Sequence, residues 1–359
     1  METAYFACAA FLVLATLIPL TPCQHWSVRG FDFGKIQLTV LESLTLLYGF
    51  LWMERSPEFW AAQAALLASQ VFNLSILLRY TPFYPVKPRE RHGRHSKALT
   101  LMSANVLQFN TDYPAFLSQV RENNPDMVLT MESNEDWDTA MRALEEDYPH
   151  MCKVPLENTY GMHLYSKIPM TCEVHYFVAD DLPSIEAEIS TEDGYELTLF
   201  CVHPPPPSPT EEETSKERDG ELLSVAKKVK ANGKTSIIVG DFNNVAWARS
   251  SVLFRRASET IDPRVGRGLK ATFHARYWFL RFPIDQLFHT PDVFIEELKT
   301  LPYFGSDHFA LFCSFVIDHH DDSQEELVEE LENGDHEEIE EIIQDGIEEE
   351  SDREEIATE

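Results

Sequence analysis

Apolar positions change their pattern twice along this chain. Up to residue 80 they run in long blocks: residues 5–22, 36–53 and 59–78 are apolar over most of their length, and each is near the length a helix needs to cross a bilayer. A cleaved leader would account for the first block but for neither of the others. Gln63 and Gln70 lie seven apart on one helical face of the third block, with Asn73 beside them. Glu42 in the second block is the natural partner for that face inside a small bundle. Residues 81–97 form a basic, proline-rich linker. From 98 to 317, short apolar runs alternate with amphipathic stretches. Residues 99–106, 126–131, 162–165, 185–189, 197–202, 235–239, 284–288 and 309–316 read as strands; 113–122, 137–147, 216–231 and 248–257 read as helices. This βα alternation, with several strands adjacent in sequence, predicts an α/β sandwich rather than a barrel.

Charge refines the outline. Residues 318–359 hold 21 acidic residues against one basic residue, Arg353, so about −11 of the formal −31 remains on residues 1–317. Such a tail is expected to be solvated and disordered. The helical spacing of Ile339, Ile342, Ile343 and Ile347 leaves open a short acidic amphipathic helix that would meet a basic protein partner. The acidic body weighs against tight, sequence-independent binding to duplex DNA. Arg79, Lys87, Arg89, Arg91, Arg94 and Lys97 follow the third apolar block, whereas Arg55 alone lies between the second and third. That bias predicts a multi-pass protein of the cell membrane, with its N-terminus outside, residues 98–317 in the cytosol and the linker against anionic headgroups. The six cysteines include no Cys-x-x-Cys pair and read as buried thiols rather than a zinc site or a disulfide framework.

Polar residues recur where the strands end. Residues 237–247 read Ile-Ile-Val-Gly-Asp-Phe-Asn-Asn-Val-Ala-Trp. There Asp241 and Asn243, two apart in extended geometry, offer a carboxylate and an amide on one face, a pairing suited to a hard divalent cation or a phosphoryl oxygen. Asn105 lies in Ser-Ala-Asn-Val-Leu, and Glu132 follows Val-Leu-Thr-Met. His203 precedes four prolines, Asp285 sits in Pro-Ile-Asp-Gln-Leu-Phe, and Asp307 and His308 precede the last strand. Each alone reads equally as a turn residue, a cap or a core histidine. Together they point to one crevice at the strand ends, where ligands collect in α/β folds.

These motifs, with Tyr160–Lys167 (Tyr-Gly-Met-His-Leu-Tyr-Ser-Lys), Trp247 and Gly305–His308 (Gly-Ser-Asp-His), resemble those of the endonuclease/exonuclease/phosphatase superfamily. The chain also looks like bacterial membrane proteins that place three spans before such a domain. The resemblance implies a DNase I-like four-layer sandwich of two packed mixed β-sheets flanked by helices, and Mg²⁺- or Mn²⁺-dependent cleavage of phosphoester bonds. By the same resemblance Glu132 is the principal metal ligand, with Asn105 its neighbour and Asp307 assisting. Asp241 would bind metal or orient the attacking water, and Asn243 would hold a phosphate oxygen. His308 would activate water with Asp285 behind it, and His203 would donate to the phosphate or leaving group. Two departures stand out. Leu107 occupies the position where some superfamily nucleases carry a second acidic residue, and no acidic partner for His203 is evident beyond Glu157.

The expected function is a membrane-anchored, metal-dependent phosphoesterase acting on a phosphodiester or phosphomonoester, with a lipid headgroup and nucleic acid both open as substrates. The alternatives are a nuclease of DNA or RNA, a catalytically silent binding module of the same fold, and a scaffold recruiting a basic partner through its tail.

Overall fold

Period-two alternation of branched and aromatic residues lets the strands of the 98–317 region bury both faces. In β8 (Ser236–Asp241), Ile237 and Val239 point into one apolar cluster and Ile238 into another. The computed structural model describes residues 2–86 and 95–351, so Lys87, Arg89, Arg91 and Arg94 of the basic linker lie outside the described residues. One mixed sheet has six strands, in the order β10 (Val293–Thr300), β11 (Leu311–Ile317), β1 (Leu99–Asn105), β2 (Met127–Met131), β4 (Met162–Ser166) and β3 (His150–Val154). The other has five: β5 (Met170–His175), β6 (Ser184–Ser190), β7 (Glu196–Val202), β8 and β9 (Asp285–His289). Among the strands of the described residues, only β1–β2 and β7–β8 pair in parallel.

The inner faces of the two sheets meet in a common core that includes Leu101, Leu129, Leu199 and Val239. Helices α5 (Tyr113–Asn123) and α6 (Glu135–Met141) cover the outer face of the six-stranded sheet through Phe116 and Trp137. Helices α7 (Lys216–Asn232) and α8 (Arg249–Ser258) cover the other through Leu222 and Phe254. This is the expected four-layer sandwich. Local chemistry sets the helix ends. The Asp112 side chain accepts from the Ala115 N–H at 3.3 Å to start α5, the Asn134 side chain accepts from the Trp137 N–H at 3.1 Å to start α6, and Gly233, at φ +62°, ends α7.

The N-terminal region forms α1 (Glu2–Leu17), a short α2 (Trp26–Phe33), α3 (Lys35–Trp52) and α4 (Pro57–Leu77). Two segments, Glu2–Leu20 and Pro57–Tyr80, are long and apolar enough to cross a membrane. The third expected span, α3, is not among them, because Lys35, Gln37 and Glu42 interrupt it. Glu42 does meet the polar face of α4, where Asn73 Nδ2 donates to its Oε2 at 3.2 Å and Ser69 also bonds it, and Thr16 Oγ1 of α1 donates to its Oε1 at 3.1 Å. Gln63 instead donates to the Leu46 carbonyl at 3.1 Å. The bundle docks on the sandwich through Trp247, whose indole N–H donates to the Asp32 carbonyl at 2.8 Å and whose ring lies 5.6 Å from that of Tyr80.

Two expectations are corrected. Cys152 and Cys172 form a disulfide linking edge strands β3 and β5 of the two sheets; only Cys201 and Cys313 are buried thiols, while Cys8 and Cys23 are free and exposed. Part of the acidic segment is also ordered: α9 (Asp335–Glu348) lies on α7, burying Ile339 in the cluster beneath α7 and α8 with Ile342 and Ile343 against it. Arg249 pairs with Asp335 at 2.7 Å, and Arg256 with Asp335 at 3.0 Å and Glu332 at 2.6 Å. Arg249 and Arg256 of this chain's own α8 thus pair with part of the tail's acidic charge.

Candidate active site

Strand register gathers the polar residues at one edge of the sandwich. Asn105 is the last residue of β1, and Glu132 follows the end of β2, its parallel neighbour. His308 precedes β11, which runs antiparallel to β1, so it returns to the same edge. In the facing sheet His203 follows β7, Asp241 ends the parallel β8, and Asp285 opens the antiparallel β9 directly opposite Asp241. Six chain segments therefore converge.

Their contacts form one network. Asn105 Nδ2 donates to Glu132 Oε1 at 2.8 Å and to Asp241 Oδ2 at 3.1 Å. The Gln108 N–H donates to Glu132 Oε2 at 3.0 Å. His308 Nδ1 lies 2.7 Å from Asp285 Oδ2, and its Nε2 lies 3.6 Å from Asp241 Oδ2. The Asn243 N–H donates to Asp241 Oδ1 at 2.9 Å, and its side chain donates to the Pro204 carbonyl at 3.0 Å. His203, Asp241, Asp285 and His308 are buried, whereas Glu132, Asn243 and Asp307 keep some exposure. Leu107, Glu132 and Asn243 have φ of +58°, +60° and +47°. Left-handed backbone at three non-glycine residues around one network is the strain that functional sites hold.

Electrostatics separates the roles. Burial opposes charging His308, but Asp285 and then Asp241 outweigh it and push the imidazole up to about 10. Burial pushes Glu132 up to about 7 against the hydrogen bonds from Gln108 and Asn105, with Asp307 adding to the rise. Asp241 is raised by burial and then by Asp285. Burial lowers His203 to about 4, so its ring is neutral at ordinary pH.

Glu132, Asp241, Asp285 and Asp307 thus crowd a site whose only cationic side chain among these groups is His308. Such a set could share its charge with a hard cation. Glu132 and Asp307, carboxylates within electrostatic reach of each other and still open to the cleft, would hold it. The Asp241, Asp285 and His308 ligand atoms all lie within 4.8 Å of one another as well, but the ring of His308 already spans the two carboxylates. A divalent ion at Glu132 would offset carboxylate charge and polarise a phosphoryl oxygen. Asn105 departs from its expected role. Its amide N–H₂ faces the carboxylates and its Oδ1 accepts from the Leu107 N–H at 3.0 Å, so it holds Glu132 and Asp241 in place rather than offering an oxygen.

Glu157 is not the partner of His203: its carboxylate accepts from Asn134 Nδ2 at 3.0 Å and from the Glu135 N–H at 3.3 Å. The Tyr160 ring lies 5.3 Å from the His203 ring instead, and His203 Nδ1 is buried without a hydrogen-bond partner among the described residues. The supporting groups carry no role in the sequence pattern, although Ser306 belongs to the Gly-Ser-Asp-His motif. Ser306 Oγ bonds the Asn105 carbonyl at 2.8 Å and receives the His308 N–H at 3.0 Å, and Phe273 lies 4.9 Å from the His308 ring. Ser306 stood beside Asp307 and His308, so its position was the available signal.

A model of the Endonuclease/Exonuclease/phosphatase family matches residues 102–308. No curated protein matches the chain in sequence. Among solved structures, D. rerio TDP2 complexed with a single-strand DNA product is similar at TM-score 0.53 and 17% identity, covering 61% of this chain and 99% of that one. An endonuclease/exonuclease/phosphatase from Beutenbergia cavernae is similar at TM-score 0.51 and 15% identity, covering 62% and 72% of the two chains. The catalytic domain of human Nocturnin with bound sulfate follows at TM-score 0.50 and 16% identity, covering 61% and 94%. At these identities the likeness is one of fold.

Proposed function

The chain belongs to the Endonuclease/Exonuclease/phosphatase family, and on that premise we propose that it is a membrane-anchored phosphoesterase using Mg²⁺ or Mn²⁺. The observation that carries the reading is the buried Asp285–His308–Asp241 line beside Glu132. Phosphate esters resist attack because their oxygens repel a nucleophile, so a site must absorb charge and direct a proton. Asp285 fixes the His308 ring through Nδ1 and leaves Nε2 toward Asp241; a cation at Glu132 would offset the carboxylate charge that keeps the ring protonated, and the neutral ring would then take a proton from water. Asn105 aims Glu132 and Asp241, and the neutral His203 and the remaining N–H of the Asn243 amide would donate to phosphoryl oxygens.

The test is hydrolysis of bis(p-nitrophenyl) phosphate by the full chain with Mg²⁺ or Mn²⁺, comparing wild type with His308→Ala. Turnover is expected to fall by roughly two to four powers of ten; equal turnover would remove the proposed base. A panel of single-stranded DNA, RNA and phospholipid vesicles then separates a nuclease from a lipid phosphoesterase, and the acidic body favours the second.

The bundle supports anchoring because it is built with its polarity reversed. Glu42, Asn73 and Thr16 are buried at its centre, while Leu14, Val40, Leu44, Leu51, Leu67 and Val71 are exposed on α1, α3 and α4. The charges that interrupt α3 face inward, so α3 serves as a third span. The Cys152–Cys172 bridge favours an oxidising compartment for the sandwich. We therefore place it on the non-cytoplasmic face, against the side suggested by the basic linker. Protease added to intact cells is expected to digest residues 98–317; full protection would reverse the assignment.

A further inference from the structure

Residues 273–282 form a hairpin whose tip is apolar and open to solvent: Tyr277 is 49%, Trp278 80%, Phe279 54% and Leu280 40% exposed. A run of four large apolar residues standing out from a soluble surface marks a contact site. Its base is closed by a bridge between Phe273 and Phe282 and by the His274 N–H donating to the Leu280 carbonyl at 2.9 Å. Arg276 and Arg281 bracket the tip.

The place of this tip says what covers it. Gln37 Nε2, in the first turn of α3, donates to the Phe279 carbonyl at 2.9 Å, and Phe33 meets Phe282 edge-on at 5.8 Å. One turn further along α3, Val40 and Leu41 begin the exposed apolar face of the bundle. The tip therefore stands level with the end of that face and continues it sideways. Aromatic side chains flanked by arginines at such a level have the composition of a bilayer interface, where amphipathic rings sit among headgroups and guanidinium groups meet lipid phosphates.

The hairpin is also tied to the catalytic edge. The Ala275 N–H donates to the Asp307 carbonyl at 2.6 Å, and the Phe309 N–H to the Thr272 carbonyl at 3.1 Å. The Arg276 guanidinium donates to the Gly305 carbonyl at 3.2 Å and to the Tyr303 hydroxyl at 3.2 Å. Phe273 lies against the His308 ring. What holds the tip thus holds the segment carrying Asp307 and His308.

We propose that the Tyr277–Trp278–Phe279–Leu280 tip is a second membrane contact, inserted into the headgroup region of the same bilayer that houses the helices, and that it seats the mouth of the site at the lipid surface. The proposal rests on the membrane reading of the bundle, so its test carries a separate control for that reading. The full chain, with Cys8 and Cys23 changed to serine, is reconstituted into vesicles of phosphatidylcholine with a minor fraction of phosphatidylglycerol. A nitroxide is attached at Trp278→Cys in one sample and at Leu44→Cys in another. Collision with oxygen, which partitions into lipid, is compared with collision with a water-soluble nickel complex. Both labels are expected to favour oxygen severalfold over the same labels on the detergent-free unfolded chain. A lipid-facing label at 44 with a water-exposed label at 278 would overturn the tip contact and leave the anchor standing. Water exposure at both would overturn the membrane reading and the tip with it.

Discussion

Changing Asp285 to Asn tests the hydrogen bond at the centre of the site. Asp285 Oδ2 lies 2.7 Å from His308 Nδ1, and both groups are buried. Burial disfavours the charged ring, yet Asp285 and Asp241 push His308 from 6.5 to about 10, a preference for the imidazolium worth roughly 5 kcal/mol. Asp285 is the largest upward contributor, so the Asn variant is expected to bring the titration of cation-free His308 down by about two pH units or more. The sign for stability follows. A histidine raised in the folded state contributes stability that is complete below about 6.5 and lost as pH rises through about 10. The cation-free wild type should thus lose stability across that window, and the variant should lose less. The assay is the pH titration of isotope-labelled histidine Cε1 resonances in the full chain, with His308 assigned by its absence in His308→Ala. Turnover of a soluble diester should fall by roughly two to four powers of ten with little change in KM, since Asp285 acts through the ring rather than on substrate. An unmoved midpoint together with turnover near wild type would refute this account of how His308 is held.

Glu132→Gln should abolish Mn²⁺ binding measured by calorimetry. In the wild type, binding should weaken as pH falls through about 7, because burial raises the Glu132 carboxyl to that value and a proton then competes with the cation. Glu221 on α7 is buried, receives the Ser184 hydroxyl at 2.7 Å and is pushed up to about 7, chiefly by burial. Its contribution to stability is complete below about 4.5 and lost as pH rises through about 7. Glu221→Gln should therefore flatten the thermal-unfolding midpoint between these values and add up to roughly 3 kcal/mol above them; parallel curves would count against it. Ile339→Ser should destabilise the full chain by roughly 2–4 kcal/mol if α9 is part of the folded core, and an unchanged unfolding midpoint would return that helix to solvent.

The strands that sequence patterning missed share one property. β3 and β10 are the two edges of the six-stranded sheet, and β5 is an edge of the other. An edge strand has a neighbour on one side only, so its residues need not alternate cleanly. β5 leaves Thr171, Cys172 and Glu173 exposed, and β10 carries Glu297 and Lys299 beyond a register shift after Ile295. Both cysteines of the disulfide lie on these edges, so their pairing could not be seen before the sheets were. The acidic tail misled for another reason. The spacing of Ile339, Ile342 and Ile343 marked the buried face of α9, but charge density read along the chain carries no information about Arg249 and Arg256 across the fold.

The site was legible because of where its residues stand. Asp241 and Asp285 are cross-strand neighbours in register. Two carboxylates facing each other in a buried ladder are destabilising unless something positive lies between them, and His308 is that group. Gly240 sharpens the point. Its φ is +153°, and a Cβ there would come within 1.9 Å of the Val202 carbonyl oxygen, so the close approach of β7 to β8 at this end requires glycine. That approach sets His203, immediately after Val202, beside Asp241, immediately after Gly240. A turn alone would need Gly-Asp for its backbone angles and would be indifferent to the identity of residues 203, 285 and 308. Here the backbone constraint and the side-chain chemistry fall on the same few positions, which is what separates a built site from an acidic loop.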